Sequence, residues 1–347
     1  MQMSSFWNNR ISFSIFGESQ ASAVGVTIEN LPAGEYINAD ELASFMARRA
    51  IKSGLCPSSK GEAAMPHILS GIFNNRTTGK PLFAYLQNIP ENVKKDRLAD
   101  PNFRGGNADY TGTVRYKGFE DVKNAASFNS KLTAPLCFTG AVCGQILERR
   151  GIYTGAHVYQ IHNIKDNPFD PVAISRDAIR SIRIKNFPVI NDRKGWLMLE
   201  DIKKASEMGE TLGGIIECAV INVPAGVGSP IFDGIENNIA QLVFGIPGVK
   251  GIEFGSGFRS AQMVGSQNSD SFYVDAHGHS VTRTNNHGGI LGGISSGMPI
   301  TLNIAFQPMD KSYESYDPCL VPSSVACVEA AVNIAVLNHM IDYPNFC

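Results

Sequence analysis

The chain has 347 residues, 43% hydrophobic and 18% charged, which is the balance of an ordinary globular protein able to bury a sizeable core. A formal net charge of −2 and a pI near 6.4 exclude a strong basic field for nucleic acid or an anionic membrane, so an anionic ligand must be held by local cations. Seven cysteines, at 56, 137, 143, 218, 319, 327 and 347, include no Cys-x-x-Cys and fit reduced thiols in a cytoplasmic protein, not a disulfide framework or structural zinc.

The first residues lack the basic start and unbroken apolar core of a secretory signal. Residues 10 to 28 read as strand, turn, strand, with an interruption at Gly17-Glu18-Ser19. A helix capped by Asp40 follows, with Leu42, Phe45, Met46 and Ala50 at helical spacing. It places Arg48 and Arg49 at its C-terminal end, where they complement the helix dipole. Residues 87 to 107 are polar, rich in turn formers, and predict a long surface loop. The most apolar windows, Leu132 to Leu147 and Val325 to Leu337, are too short and too interrupted for a membrane span. Residues 164 to 195 mix charge with Pro and Asn, and Leu197 to Met208 reads as helix. Near the end, Ser324 caps a predicted helix whose Val325, Val328, Ala331, Val332, Ala335 and Val336 make an apolar face, with Asn333 and Asn338 turned outward.

Sliding the chain by 192 residues lays residues 17 to 34 (GESQASAVGVTIENLPAG) over 209 to 226 (GETLGGIIECAVINVPAG) without a gap. Asp233 then caps a second helix with an apolar stripe of Ile235, Ile239, Leu242 and Val243. This implies an internal strand-strand-helix duplication within a single domain, 1–347, of two halves at about 1–190 and 200–347.

Thr284 to Gly297 (TNNHGGILGGISSG) carries five glycines in fourteen residues. Such a stretch suits either a flat ligand lying against bare backbone or a pair of crowded turns. No phosphate loop, nucleophile elbow or dinucleotide fingerprint is present. His277 and His279 flank a predicted hairpin tip, His157 and His162 are five apart, and none has carboxylates at metal-motif spacing, so all four read as surface histidines. By residues alone the chain is a cytoplasmic α+β protein with a glycine-lined crevice and scattered cations.

Seven motifs in order resemble the chorismate synthase family. They are FGES with PAG near the start, ILSGIF with TTGKP at 68 to 81, ADYT at 108 to 111, PAGVGSPIFD at 224 to 233, IPGVKGIEFGSGF at 246 to 258, NNHGGILGGISSG at 285 to 297, and DPC at 317 to 319. The resemblance implies a helical layer between antiparallel sheets, a homotetramer, and reduced flavin mononucleotide (FMN) as cofactor. It also implies loss of phosphate from 5-enolpyruvylshikimate 3-phosphate to give chorismate, a step in aromatic amino acid biosynthesis. Transferred onto this chain, the catalytic positions are Asp317, Gln20 and Asn107, and the substrate is held by Arg48, Arg49, Lys60 and Lys131. Cofactor positions are Ser127, Phe128, Asn129, Pro247, Gly248, Gly292, Gln307, Lys311 and Ser315.

The chain departs from the family where chemistry is expected. Gln20 and Asn107 stand where the family has histidines, Ala50 and Ser315 where it has arginines, and Lys60 in place of another. The family's RSSARET becomes Ser127-Phe128-Asn129-Ser130-Lys131-Leu132-Thr133, and its KPT becomes Gln307-Pro308-Met309. Amides hydrogen-bond but do not titrate near neutral pH. These changes predict a weakened grip on phosphate and flavin, and leave two readings: a divergent lyase, or a homologue that kept the scaffold with a changed ligand or no catalysis.

Overall fold

The computed structural model describes residues 5–18, 21–49, 65–87, 109–117, 132–276, 278–309 and 317–344. The chain opens with β1 (Phe6–Asn8), β2 (Ser12–Phe16), β3 (Ala23–Glu29), α1 (Ala39–Arg48), β4 (His67–Ser70), β5 (Ile72–Phe73), β6 (Arg76–Thr77), β7 (Leu82–Gln87), α2 (Asp109–Tyr116) and α3 (Thr133–Arg149). After it come β8 (Tyr153–Ile161), β9 (Ile164–Lys165), α4 (Arg176–Arg183), α5 (Asp192–Glu207), β10 (Gly214–Ile221), α6 (Ile235–Val243), β11 (Val249–Phe254) and α7 (Gly265–Asn268). The chain continues through β12 (Phe272–Val274), β13 (Ser280–Thr282), β14 (Ile290–Leu291), β15 (Ile294–Ser295), β16 (Ile300–Phe306) and α8 (Val321–Met340).

Two antiparallel five-stranded sheets have the same internal order, β1-β2-β3-β7-β4 and β9-β8-β10-β16-β11. Between them lie α3, which packs on β3 and β7, and α8, which packs on β8 and β10. This is an α+β fold with a helical layer between sheets. One apolar cluster joins Val26 and Leu82 of the first sheet to Phe138 and Val332 of the helices and to Ile216 and Ile304 of the second sheet.

The duplication reaches the level of single hydrogen bonds. Asn30 and Asn222 both take positive φ (64° and 67°), as do Gly34 and Gly226 (86° and 92°). The Gly34 N–H donates to Thr77 O at 2.7 Å, and the Gly226 N–H to Ser295 O at 2.9 Å. The hydroxyls of Thr77 and Ser295 donate to Pro32 O (2.5 Å) and Pro224 O (2.6 Å) and accept from Glu35 N and Val227 N, each at 2.9 Å. Residues 71 to 81 therefore correspond to 289 to 299, a second repeat that the ungapped alignment misses because loops of different length intervene. The strand that takes the place of β2 in the second sheet is β8, separated from β10 by an insertion carrying α4 and α5.

Pairs along the α3–α8 seam rise together. Cys137 faces Cys327, a Cβ added at Gly140 would fall 2.2 Å from Ala330 Cα, and one at Gly144 would meet the Asn333 amide. The two helices therefore run parallel with their backbones touching. Residues 133 to 147 are all buried, and so is almost all of α8.

Several expectations change here. α1 is capped by Asn38, whose side chain accepts from Asp40 N and Glu41 N, and Asp40 is inside the first turn. Gly234, not Asp233, is the N-cap of α6, because Asn237 accepts from the Gly234 N–H. Ser324 is likewise inside α8, its hydroxyl donating to Leu320 O. α8 is long and apolar enough to cross a membrane by length and composition, but 94% of its most apolar window is buried in protein, as in a core helix. Asn333 and Asn338 are buried and not outward: Asn333 Nδ2 donates to Gly140 O (3.2 Å) and Asn338 Oδ1 accepts from Ile11 N (3.0 Å).

His157 is also not a surface residue. It is fully buried, with Nε2 2.7 Å from Glu217 and Nδ1 3.2 Å from Asp166. Asp166 in turn accepts from Ile190 N and Asn191 N, and Glu217 from Phe169 N, so this cluster fastens the insertion to β8 and β10. Burial lowers the imidazole pKa, but the two carboxylates outweigh it and the net shift is upward. Its stabilising contribution is thus complete below about 6.5 and is lost as pH rises through the raised value. We expect stability against urea to decline as pH rises above about 6.5, and His157→Gln to flatten that slope; an unchanged slope would refute the assignment. Gly140→Val should cost about 1–3 kcal/mol by overpacking, measurable in the same denaturation curves.

Candidate active site

Leucines occupy the N-cap positions of both central helices, Leu132 for α3 and Leu320 for α8, and neither supplies a side-chain cap. Because the helices are parallel, the N–H groups of both first turns and the positive ends of both dipoles face one edge of the helical layer. Such an edge suits an anion. Asp317 precedes α8 there, half-buried, and its Oδ1 accepts from Cys319 N at 3.1 Å.

A chain of backbone contacts ties this edge to the loop after α6. Leu212 N donates to Pro318 O (2.8 Å), Thr211 Oγ1 to Met309 O (2.6 Å), and Gln307 N to Gly248 O (2.9 Å). Asp317, Gln307, Pro247 and Gly248 are thereby brought into one neighbourhood. Gly248 takes φ +87°, and an added Cβ would find no atom nearer than 3.5 Å. Glycine is needed there for backbone conformation, and it leaves a face without a projecting side chain.

Gly292 is elsewhere. It is an exposed turn residue of the β14–β15 hairpin, beside Gly293, whose added Cβ would meet Ser229 and Gly234 at the start of α6. Pro247 and Gly248 follow the other end of that helix, roughly 13 Å away along its axis. Gln20, Asn107, Lys60, Lys131, Ser127, Phe128, Asn129, Lys311 and Ser315 lie outside the described residues, as do Ala50, His277 and all but the first residue of the 87 to 107 loop.

Arg48 and Arg49 close α1 against the central helices. The Arg48 guanidinium forms a two-pronged pair with Glu329 of α8, at 2.7 Å for each bond. Glu329 is fully buried, also accepts from Ala156 N (3.0 Å), and has Arg183 Nε 3.4 Å away. Burial pushes its carboxyl pKa up, but Arg48, Arg183 and the hydrogen bonds pull the net value below the usual range, so it is ionised. Two donors of Arg48 are therefore committed within the protein, and Arg49 is the C-cap residue of α1. Glu329 escaped the sequence reading, although a single carboxylate inside a long apolar helix is itself a signal: a buried charge has to be paired. Arg48→Ala and Glu329→Ala should each cost about 3–5 kcal/mol by leaving a buried charge unmatched. The double variant should cost less than the sum, as read from urea denaturation midpoints.

The profile of the chorismate synthase family matches residues 11 to 315. Chorismate synthase of Thermococcus kodakarensis is 33% identical over 353 residues, covering 95% of this chain and 96% of its own. That of Korarchaeum cryptofilum is 35% identical over 347 residues, covering 94% of each chain, and that of Lancefieldella parvula is 36% identical over 375 residues, covering 99% and 98%. A crystal structure of chorismate synthase superposes with a TM-score of 0.80 at 25% identity, covering 96% of this chain and 93% of that one. With the profile, the relatives and the fold in agreement over nearly the whole length, the chain belongs to the chorismate synthase family.

Proposed function

We propose that this protein eliminates phosphate from 5-enolpyruvylshikimate 3-phosphate to give chorismate with reduced FMN, as a cytoplasmic homotetramer whose single domain consists of two duplicated halves. The observation that supports this most is the parallel pair of helix N-termini, neither with a side-chain cap and both facing the edge that carries Asp317. A departing phosphate gathers negative charge, and preorganised N–H groups and a guanidinium stabilise it without reorganisation. Arg49, the C-cap residue of α1, and the first turns of α3 and α8 take that role, while Arg48, bound to Glu329, fixes the end of α1. Asp317, anchored by the Cys319 N–H, is the group that assists proton removal.

The described residues fit a flat cofactor on one side: Gly248 offers bare backbone, and Pro247 and Gln307 border it. Ser127, Phe128, Asn129, Lys311 and Ser315 are the further candidates for that cofactor, and Lys60 and Lys131 for the substrate. When bound, reduced flavin supplies the reducing ring system on which the family reaction depends. Gln20 and Asn107 can orient bound groups by hydrogen bonding but do not deliver a proton at neutral pH.

A second reading, a non-catalytic or altered-ligand homologue, is favoured by those two amides and by Ser315. Anaerobic titration with reduced FMN, with and without substrate, followed by phosphate and chorismate analysis, separates the two. We expect both products, at a rate about 10²–10⁴ below that of a relative with both histidines, and partial recovery in Gln20→His with Asn107→His. Absence of product at saturating flavin and substrate would establish the second reading instead.

A further inference from the structure

Cys137 on α3 and Cys327 on α8 are fully buried, with sulfurs 3.5 Å apart. A disulfide holds its sulfurs at about 2.05 Å and its Cα atoms within about 4.4–6.8 Å. One turn further along the same seam the backbones already touch, since a Cβ at Gly140 would lie 2.2 Å from Ala330 Cα. The remaining approach, from 3.5 Å to about 2.05 Å, is of the size that side-chain torsions supply.

The two thiols are not equivalent. Cys327 is pulled down to about 7, first by its hydrogen bond with Cys137, against the opposing effect of burial, with Arg49 and a hydrogen bond to Thr133 adding to the pull. Cys137 is pushed up, by the same sulfur hydrogen bond and by burial. The two shifts run in opposite directions, so Cys327 is the sulfur of the pair that more readily becomes a nucleophilic thiolate. Cys143 and Cys218 are pushed up chiefly by burial, and Cys319 is raised to about 12, so these three are poor nucleophiles.

We propose that Cys137 and Cys327 are an oxidisable dithiol, converted by a hydroperoxide into a disulfide that bridges α3 and α8. The Cys327 thiolate attacks the peroxide oxygen; the O–O bond breaks, Cys327 becomes a sulfenic acid, and alcohol or water leaves with a proton. Cys137 then attacks the Cys327 sulfur, the S–S bond forms, and water departs carrying the thiol proton. The two cysteines lose two electrons and the hydroperoxide gains them. A dithiol reductant reverses the bond, which suits a reducing compartment in which such bonds are transient.

The test uses the full chain and needs no catalytic assay, so its outcome is separate from that of the proposed lyase activity. Native protein is treated with hydrogen peroxide, denatured in the presence of an alkylating reagent, digested, and analysed by mass spectrometry. We expect a cross-linked peptide pair containing Cys137 and Cys327, lighter than the two free peptides by the mass of two hydrogen atoms and abolished by dithiothreitol. Cys143, Cys218 and Cys319 should be recovered alkylated. Cys137→Ser should accumulate a sulfenic acid at Cys327 that a dimedone probe captures, whereas Cys327→Ser should leave Cys137 unreacted. Full alkylation of both cysteines after peroxide in the wild-type chain, a bridge to Cys56 or Cys347 instead, or dimedone capture at Cys137 would each overturn the proposal.

Discussion

Contact between α3 and α8 at Gly140 sets the geometry of everything around it. With no Cβ at that position, two helices meet backbone to backbone, and a parallel alignment at that distance places both amino ends at the same edge of the molecule. Each helix then covers the inner face of its own sheet, which is why one apolar cluster runs through the whole layer. A bulkier pair would push the sheets apart and move the two helix ends relative to each other, so packing at one residue and anion chemistry at the edge are coupled.

The close seam has an electrostatic counterpart in Glu329. A carboxylate at the centre of a buried helix is tolerated because a guanidinium from α1, another from α4 and the backbone N–H of Ala156 converge on it. Four elements from both halves are thereby fixed by one charge. Such a pair adds little net stability over an apolar replacement, but it penalises every arrangement in which the partners are misaligned. Specificity of docking is the better account of its presence.

Much of this was legible beforehand. The glycines and asparagines of the repeat announced the duplication because positive φ restricts which residues can stand there, and the family motifs carried the fold. What stayed hidden depended on burial. His157 and Asn338 are polar residues whose partners, Asp166 and Glu217 in one case and the Ile11 backbone in the other, are distant in sequence, so local patterning assigned them to the surface. The partner of Arg48 was hidden in the same way, because its carboxylate lies 281 residues away. Helix caps slipped by one to four positions because Asn38, Gly234 and Leu320 take the cap positions that local patterning gave to Asp40, Asp233 and Ser324.

The two small hairpins, β5–β6 and β14–β15, show how duplicated parts come to differ in their freedom to change. Where the first half turns through Asn74 and Asn75, at φ 47° and 58°, the second turns through Gly292 and Gly293, at 62° and 85°. Space around Gly292 is open, so an asparagine there would meet only the backbone preference that its counterpart already satisfies. Gly293 is different: a Cβ would fall 2.4 Å from the carbonyl oxygen of Ser229. One copy of the turn can therefore drift in sequence while its twin is pinned at a single atom. A glycine-rich signature of this kind records where a neighbouring loop passes as much as where a ligand binds.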